Sequence, residues 1–97
     1  MDEQIVRECK KYITENNVCA LQVYYQELAE SEFPQAPDWP YIFQKVYLHA
    51  CLKGHLQISE WLEKELYSHM DPIQKIALRQ IFPYGKHLLT QAEKYKK

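Results

Sequence analysis

Apolar side chains recur along this chain at spacings of three and four. Near the start, Ile5, Val6, Cys9, Tyr12 and Ile13 fall at i, i+1, i+4, i+7 and i+8, while Glu3, Arg7, Lys10 and Lys11 occupy the other side, the stripe of an amphipathic helix. Asn16-Asn17 interrupts it, because Asn tolerates left-handed backbone and competes with helical hydrogen bonds. Val18, Leu21, Tyr24, Tyr25 and Leu28 then form a second stripe, so residues 2–31 are predicted to fold as an antiparallel helical hairpin.

Residues 32–40 hold three prolines in nine positions and read as a loop, since each proline biases the residue before it away from helical backbone. Asp38 is placed to cap the helix that follows, with Pro40 in its first turn. Ile42, Phe43, Val46, Tyr47, Ala50 and Cys51 make the apolar face of that helix, and Gly54 punctuates its end. A fourth helix bearing Leu56, Ile58, Trp61, Leu62 and Leu66 is predicted to run to about Met70.

Asp71-Pro72-Ile73-Gln74 is a strong start signal, with Asp at the N-cap, Pro at N1 and Gln at N3 to complete a capping box. Ile73, Ile76, Ala77 and Phe82 carry the apolar pattern on to Pro83-Tyr84-Gly85, which reads as a break. Leu88, Leu89, Ala92 and Tyr95 predict a last short helix. No run alternates with period two, and no Asn-Gly or Asp-Gly hairpin turn occurs.

The predicted fold is therefore all-α, a compact bundle or solenoid-like stack of five to six short antiparallel helices in a single domain over residues 1–97. It divides into a hairpin at 2–31, the proline-rich loop at 32–40, a second hairpin at 41–70 and C-terminal helices over 71–96.

Composition narrows the class. Among 97 residues, 46% are hydrophobic and only two are Gly, a balance that excludes disordered and collagenous chains. A domain of this size hides only about two-thirds of its unfolded surface. The eight Tyr, two Trp and three Phe compensate, since each buried aromatic removes roughly 150–250 Å² from water. Cys9, Cys19 and Cys51 are odd in number with no C-x-x-C spacing, and Met1-Asp2-Glu3 lacks the features of a signal peptide. Reduced thiols in an intracellular, non-secreted protein are expected, in cytoplasm, nucleus or virion. No apolar run nears the roughly 20 residues of a membrane span, so no membrane partner is expected.

A shift of 35 residues places Leu21-Gln22-Val23 on Leu56-Gln57-Ile58 and Tyr12-Ile13 on Tyr47-Leu48, a period suited to a helical-hairpin repeat. More specific is the stretch from Leu48 to Leu62. Two small residues, Ala50 and Cys51, precede a Gly54-His55 turn, and Leu56, Ile58, Trp61 and Leu62 follow at packing positions. This stretch resembles the helix-turn-helix of an ankyrin repeat, in the divergent form common in large DNA viruses. The usual Thr-Pro-Leu-His opening is replaced by Lys45-Val46-Tyr47-Leu48, and the first half has Cys19 where the turn glycine would stand. The resemblance implies one ankyrin-like hairpin inside an independent domain and, by its viral flavour, a small accessory or virion protein acting on a protein partner.

The candidate chemistry is sparse. His49, Cys51 and His55 lie close in sequence, but structural zinc takes four ligands and no second Cys/His pair stands at the usual spacing. The competing reading makes Cys51 a small core residue and His55 a turn residue. Phosphate-binding, metalloprotease and nucleophile-elbow motifs are absent, and Cys9 and Cys51 fall on apolar faces where a thiol is inert. Glu63 and Glu65 read as a solvated face. No metal, cofactor or catalytic residue is assigned, and a non-enzymatic role is expected.

Tyr12, Tyr24 and Tyr47 fit core stripes; Tyr25, Tyr41, Tyr67, Tyr84 and Tyr95 fit them less well. Phe33, Trp39 and Tyr41, around the proline-rich loop, are the candidate contacts for a protein partner, because Tyr and Trp are enriched at interface hot spots. The formal net charge of −1 hides a gradient. Residues 1–32 sum to −4, residues 33–70 to −1 and residues 71–97 to +4. Lys75, Arg79, Lys86, Lys94, Lys96 and Lys97 make that last third a candidate for weak, sequence-independent nucleic-acid binding, the alternative to a protein-interaction module. Homo-oligomerisation between acidic and basic thirds is compatible with either.

Overall fold

Helix boundaries in this chain are set by a few capping residues and prolines. The computed structural model describes residues 2–31 and 37–94. Its helices are α1 (Asp2–Thr14), α2 (Val18–Glu30), α3 (Trp39–Leu52), α4 (Leu56–Glu65), α5 (Pro72–Leu78) and α6 (Ile81–Lys94). The fold is all-α, with no strand among the described residues.

Asn16 takes the left-handed backbone the turn between α1 and α2 requires, at φ 54°. Asn17 then caps α2, its Oδ1 accepting from the Ala20 N–H at 3.1 Å. Asp38 caps α3 by accepting from the Tyr41 N–H at 3.3 Å, and its own N–H donates to Asp2 Oδ1 at 3.2 Å, tying the start of α3 to the start of α1. The capping box forms at α5: the Gln74 N–H donates to Asp71 Oδ1 at 2.9 Å, and the Asp71 N–H to Gln74 Oε1 at 3.4 Å. Gly54 turns α3 into α4 at φ +74°, and a Cβ there would also come within 3.0 Å of Ala92.

α3 begins at Trp39, directly after its Asp38 cap, with Pro40 in its first turn as the sequence predicts, so these two residues of the 32–40 stretch are helical. The fourth helix stops at Glu65 rather than near Met70, followed by a 3-10 turn at Tyr67–His69. The cause lies downstream. Pro72 forces Asp71 into extended backbone at ψ 164°, and Met70 is extended too at ψ 157°, so the helix has to end before them.

Pro83-Tyr84-Gly85 does not break the chain but lies inside α6. A proline ring removes the hydrogen bond to the carbonyl four residues earlier and clashes with it. For Pro83 that residue is Arg79, and the interruption falls at Arg79-Gln80, leaving Pro83 in the first turn of α6 where its missing N–H costs nothing. Gly85 is buried because α6 crosses α3 there: a Cβ would meet Tyr47 Cε2 at 2.6 Å and Cys51 Sγ at 3.0 Å.

α3 is the central helix, packed against α1, α4, α5 and α6. Its Ile42, Phe43, Val46, Tyr47, Ala50 and Cys51 are all buried, joined by Ile5, Cys9 and Ile13 from α1, Leu21 from α2 and Ile58 and Leu62 from α4. Phe43 stacks on Tyr47 at 5.2 Å, and Phe82 meets Tyr47 and Tyr67 edge-on at 5.4 and 4.8 Å. Such ring pairs add about 0.5–1.5 kcal/mol each beyond area burial. The Tyr47 hydroxyl donates to Glu63 Oε1 at 2.9 Å and the Tyr67 hydroxyl to the Lys75 carbonyl at 3.2 Å, so both polar tips are satisfied. The radius of gyration is 13.2 Å, that of a compact domain of this length.

Candidate protein-binding surface

The aromatic residues divide into core and surface differently from their sequence pattern. Tyr25 and Tyr67, poorly placed by periodicity, are both half-buried and packed on the core. Tyr25 meets the rings of Trp39 and Trp61 edge-on at 5.5 and 5.7 Å. Trp39 is thus a half-buried member of a three-ring cage at the start of α3, with one side still open.

That open side forms a wall of a cleft of about 180 Å³, lined further by Tyr25, Pro37, Pro40, Leu66, His69 and Met70. The rings and prolines supply rigid apolar surface that loses little conformational entropy on contact. Tyr41 is 37% exposed, with Lys45 Nζ 5.8 Å from its ring centre. Phe33 lies outside the described residues. Of the other two sequence-predicted contacts, Trp39 lines the cleft and Tyr41 is exposed outside its lining.

The residues that the pattern missed are on α5. Ile73 is 80% and Ile76 65% exposed, and Ala77 is exposed beside them, at i, i+3 and i+4 on one face. Of the seven residues of α5, only Leu78 is buried. Gln74, one residue along from Ile73, also lines the Trp39 cleft, so α5 borders it. Two isoleucines in water leave roughly 1.5–3 kcal/mol of burial energy each unrealised in the chain itself. Leu78 follows Ile73 by five residues and Ile76 by two, on the other side of the helix, so burying Leu78 turns both isoleucines outward.

Of the basic residues in the last third, Arg79, Lys86 and Lys94 are exposed. Lys75 is half-buried, its Nζ 6.0 Å from the Tyr67 ring centre. Lys96 and Lys97 lie outside the described residues, as does Tyr95.

Cys9 and Cys51 are buried, whereas Cys19 is exposed. Burial, reinforced by Glu8, pushes the Cys9 thiol up to about 12, and burial pushes Cys51 up to about 11 against an opposing influence of the nearby Tyr47 hydroxyl. The Tyr47 hydroxyl is held well above its ordinary value by burial and by its hydrogen bond to Glu63. His49 shares a 2.9 Å hydrogen bond between Nε2 and Thr14 Oγ1, and burial together with Lys10 and Lys53 holds its pKa below the ordinary value. His49 is thus engaged on α1, and Cys51 in the core beside Gly85; among the described residues no three His, Cys, Asp or Glu side chains converge. Among these residues, too, no helix is long and apolar enough to cross a membrane.

Comparison of the chain with protein-family models, with curated proteins and with solved structures finds no match.

Proposed function

We propose that the protein is a non-enzymatic protein–protein interaction module whose contact surface is the Trp39 cleft together with the outer face of α5. The observation that carries this reading is the exposure of Ile73 and Ile76 beside a cleft walled by rings and prolines. Interface hot spots have this composition, aromatic anchors with adjoining apolar area. The ankyrin-like hairpin from Leu48 to Leu62 supports the same role, since such hairpins serve as binding scaffolds in the family it resembles. An accessory or virion protein of a large DNA virus is the setting that resemblance favours.

The test compares proteins captured from the native cell by the tagged chain, by Trp39→Ala and by the double variant Ile73→Asp/Ile76→Asp. A genuine contact surface predicts loss of the same partner in both variants, with affinity for it down by about thirtyfold or more, the effect of removing a hot spot. An unchanged set of captured proteins at unchanged affinity would sink the assignment. Light scattering of the pure chain separates a foreign partner from self-association.

Arg79, Lys86 and Lys94 favour a second reading, weak binding to nucleic-acid phosphate. Titration with duplex DNA at low and moderate salt decides it: absence of binding at low salt removes this alternative. Ile73, Ile76 and Tyr84, exposed on the same two helices, weigh toward protein, because a phosphate backbone offers no apolar partner to them.

A further inference from the structure

α3 is enclosed by neighbouring helices on most sides, but one stripe of it faces outward. Lys45, Leu48, His49 and Leu52 fall at i, i+3, i+4 and i+7 and floor a groove of about 270 Å³ walled by Lys10 of α1 and by Tyr84 and Leu88 of α6. The stripe spans two turns, about 10 Å. Leu52 is 58% and Tyr84 56% exposed, so the floor and one wall present apolar side chains to water. The lining charges are Lys10 and Lys45, and no carboxylate lines the groove. His49 is held in place by its bond to Thr14, which fixes the floor to α1.

A trough between two helices, floored by a third, has the shape that accepts another helix by ridge-into-groove packing. Its chemistry selects which. We propose that this groove receives one amphipathic helix of a protein partner, which lays apolar side chains on Leu48, Leu52, Tyr84 and Leu88 and directs carboxylates to Lys10 and Lys45. Charge complementarity is what names the occupant as acidic: a basic or neutral helix would bury the same leucines but leave two ammonium groups facing like charge or nothing. This surface is separate from the Trp39 cleft and the α5 face, and does not depend on their role.

The experiment titrates the isotope-labelled full chain with two designed peptides of about 15 residues sharing leucines at i, i+3, i+4 and i+7, one flanked by Glu and one by Lys, at about 50 mM salt and followed by NMR. The Glu peptide is expected to shift residues 45–52, Tyr84 and Leu88, and to bind at least about tenfold more tightly than the Lys peptide. Lys45→Glu, at an exposed position that leaves the fold unaffected, is expected to weaken the Glu peptide about tenfold, while Ile73→Asp/Ile76→Asp leaves it unchanged. Equal binding of both peptides, no binding by either, or shifts centred on the Trp39 cleft overturns the proposal. So does a dimer of the chain alone that Lys45→Glu dissociates, because a second copy would then be the occupant.

Discussion

α3 and α5 begin in the same way: each has an aspartate cap whose side chain accepts from the third residue along, and each carries a proline in its first turn. Both are rich in isoleucine and its apolar relatives. Yet α3 buries six side chains and α5 only Leu78. The local start signal is equally good in both, so it sets where a helix begins and says nothing about how much of it is covered. Coverage follows from length and position. α3 has 14 residues and meets four other helices, whereas α5 has seven, is cut off by Pro72 at one end and by the reach of Pro83 at the other, and packs chiefly on α3. Two prolines eleven residues apart thus turn an apolar stripe into exposed surface.

The sharpest way to break this contrast is at the point where α3 is most tightly held. Gly85→Ala would gain up to about 1 kcal/mol of helix propensity in α6 if space allowed. Space does not allow it: the new methyl would lie 2.6 Å from Tyr47 Cε2 and 3.0 Å from Cys51 Sγ. Tyr47 cannot easily yield, because it stacks on Phe43 and its hydroxyl is bonded to Glu63. Overpacking costs about 1–3 kcal/mol, so a net loss of about 1–2 kcal/mol is expected, seen as a lower urea midpoint with unchanged slope. A midpoint that rises instead would mean that the α3–α6 contact is looser than the distances indicate.

A smaller effect probes the open stripe of α3 at His49. Burial and the neighbouring Lys10 and Lys53 keep its folded pKa below the ordinary value near 6.5. The unfolded chain therefore binds a proton more readily than the folded one. Stability contributed by His49 is fully present above about pH 6.5 and is lost as the pH falls below it toward the folded pKa. Melting curves between about pH 7.5 and 5.5 should show a falling midpoint in the native chain. The slope should flatten in His49→Gln, which keeps a group able to bond Thr14 but cannot titrate; an identical slope in both would place the protonation elsewhere.

Much of this was legible in the sequence, and the exceptions share a cause. Asn16-Asn17, Asp38, Gly54 and Asp71-Gln74 act through the backbone within a few residues, and each does in the structure what its chemistry predicts. Pro83-Gly85 misleads because a proline acts on the residue four positions before it and because a helical glycine can be required by a neighbour, here Tyr47, that lies 38 residues away in sequence. Tyr25, at the margin of its stripe, and Tyr67, beyond the end of α4, are both packed, since the rings that receive them, Trp39, Trp61 and Phe82, come from other elements. At the candidate surface, Trp39 was visible as an aromatic beside prolines. Ile73 and Ile76 were not, because periodicity says that a stripe exists and never which side the rest of the molecule occupies.

The smallest expected effect separates the two helices most cleanly. If α5 carries its isoleucines for a partner and not for the fold, Ile73→Asp/Ile76→Asp should change the free energy of unfolding by no more than about 0.5 kcal/mol, the ordinary range for surface substitutions. Asp is a poor helix former, but position 73 lies in the first turn of α5, where a negative charge meets the positive end of the helix dipole and offsets part of that loss. The same pair of substitutions at Ile42 and Val46 of α3 would bury two carboxylates in the core, and no folded protein is expected. Chemical denaturation of the α5 variant reads the difference directly. A loss above about 2 kcal/mol, within the range seen for removing buried side chains, would show that α5 is part of the core after all and that its outer face is covered in solution by the chain itself or by a second copy.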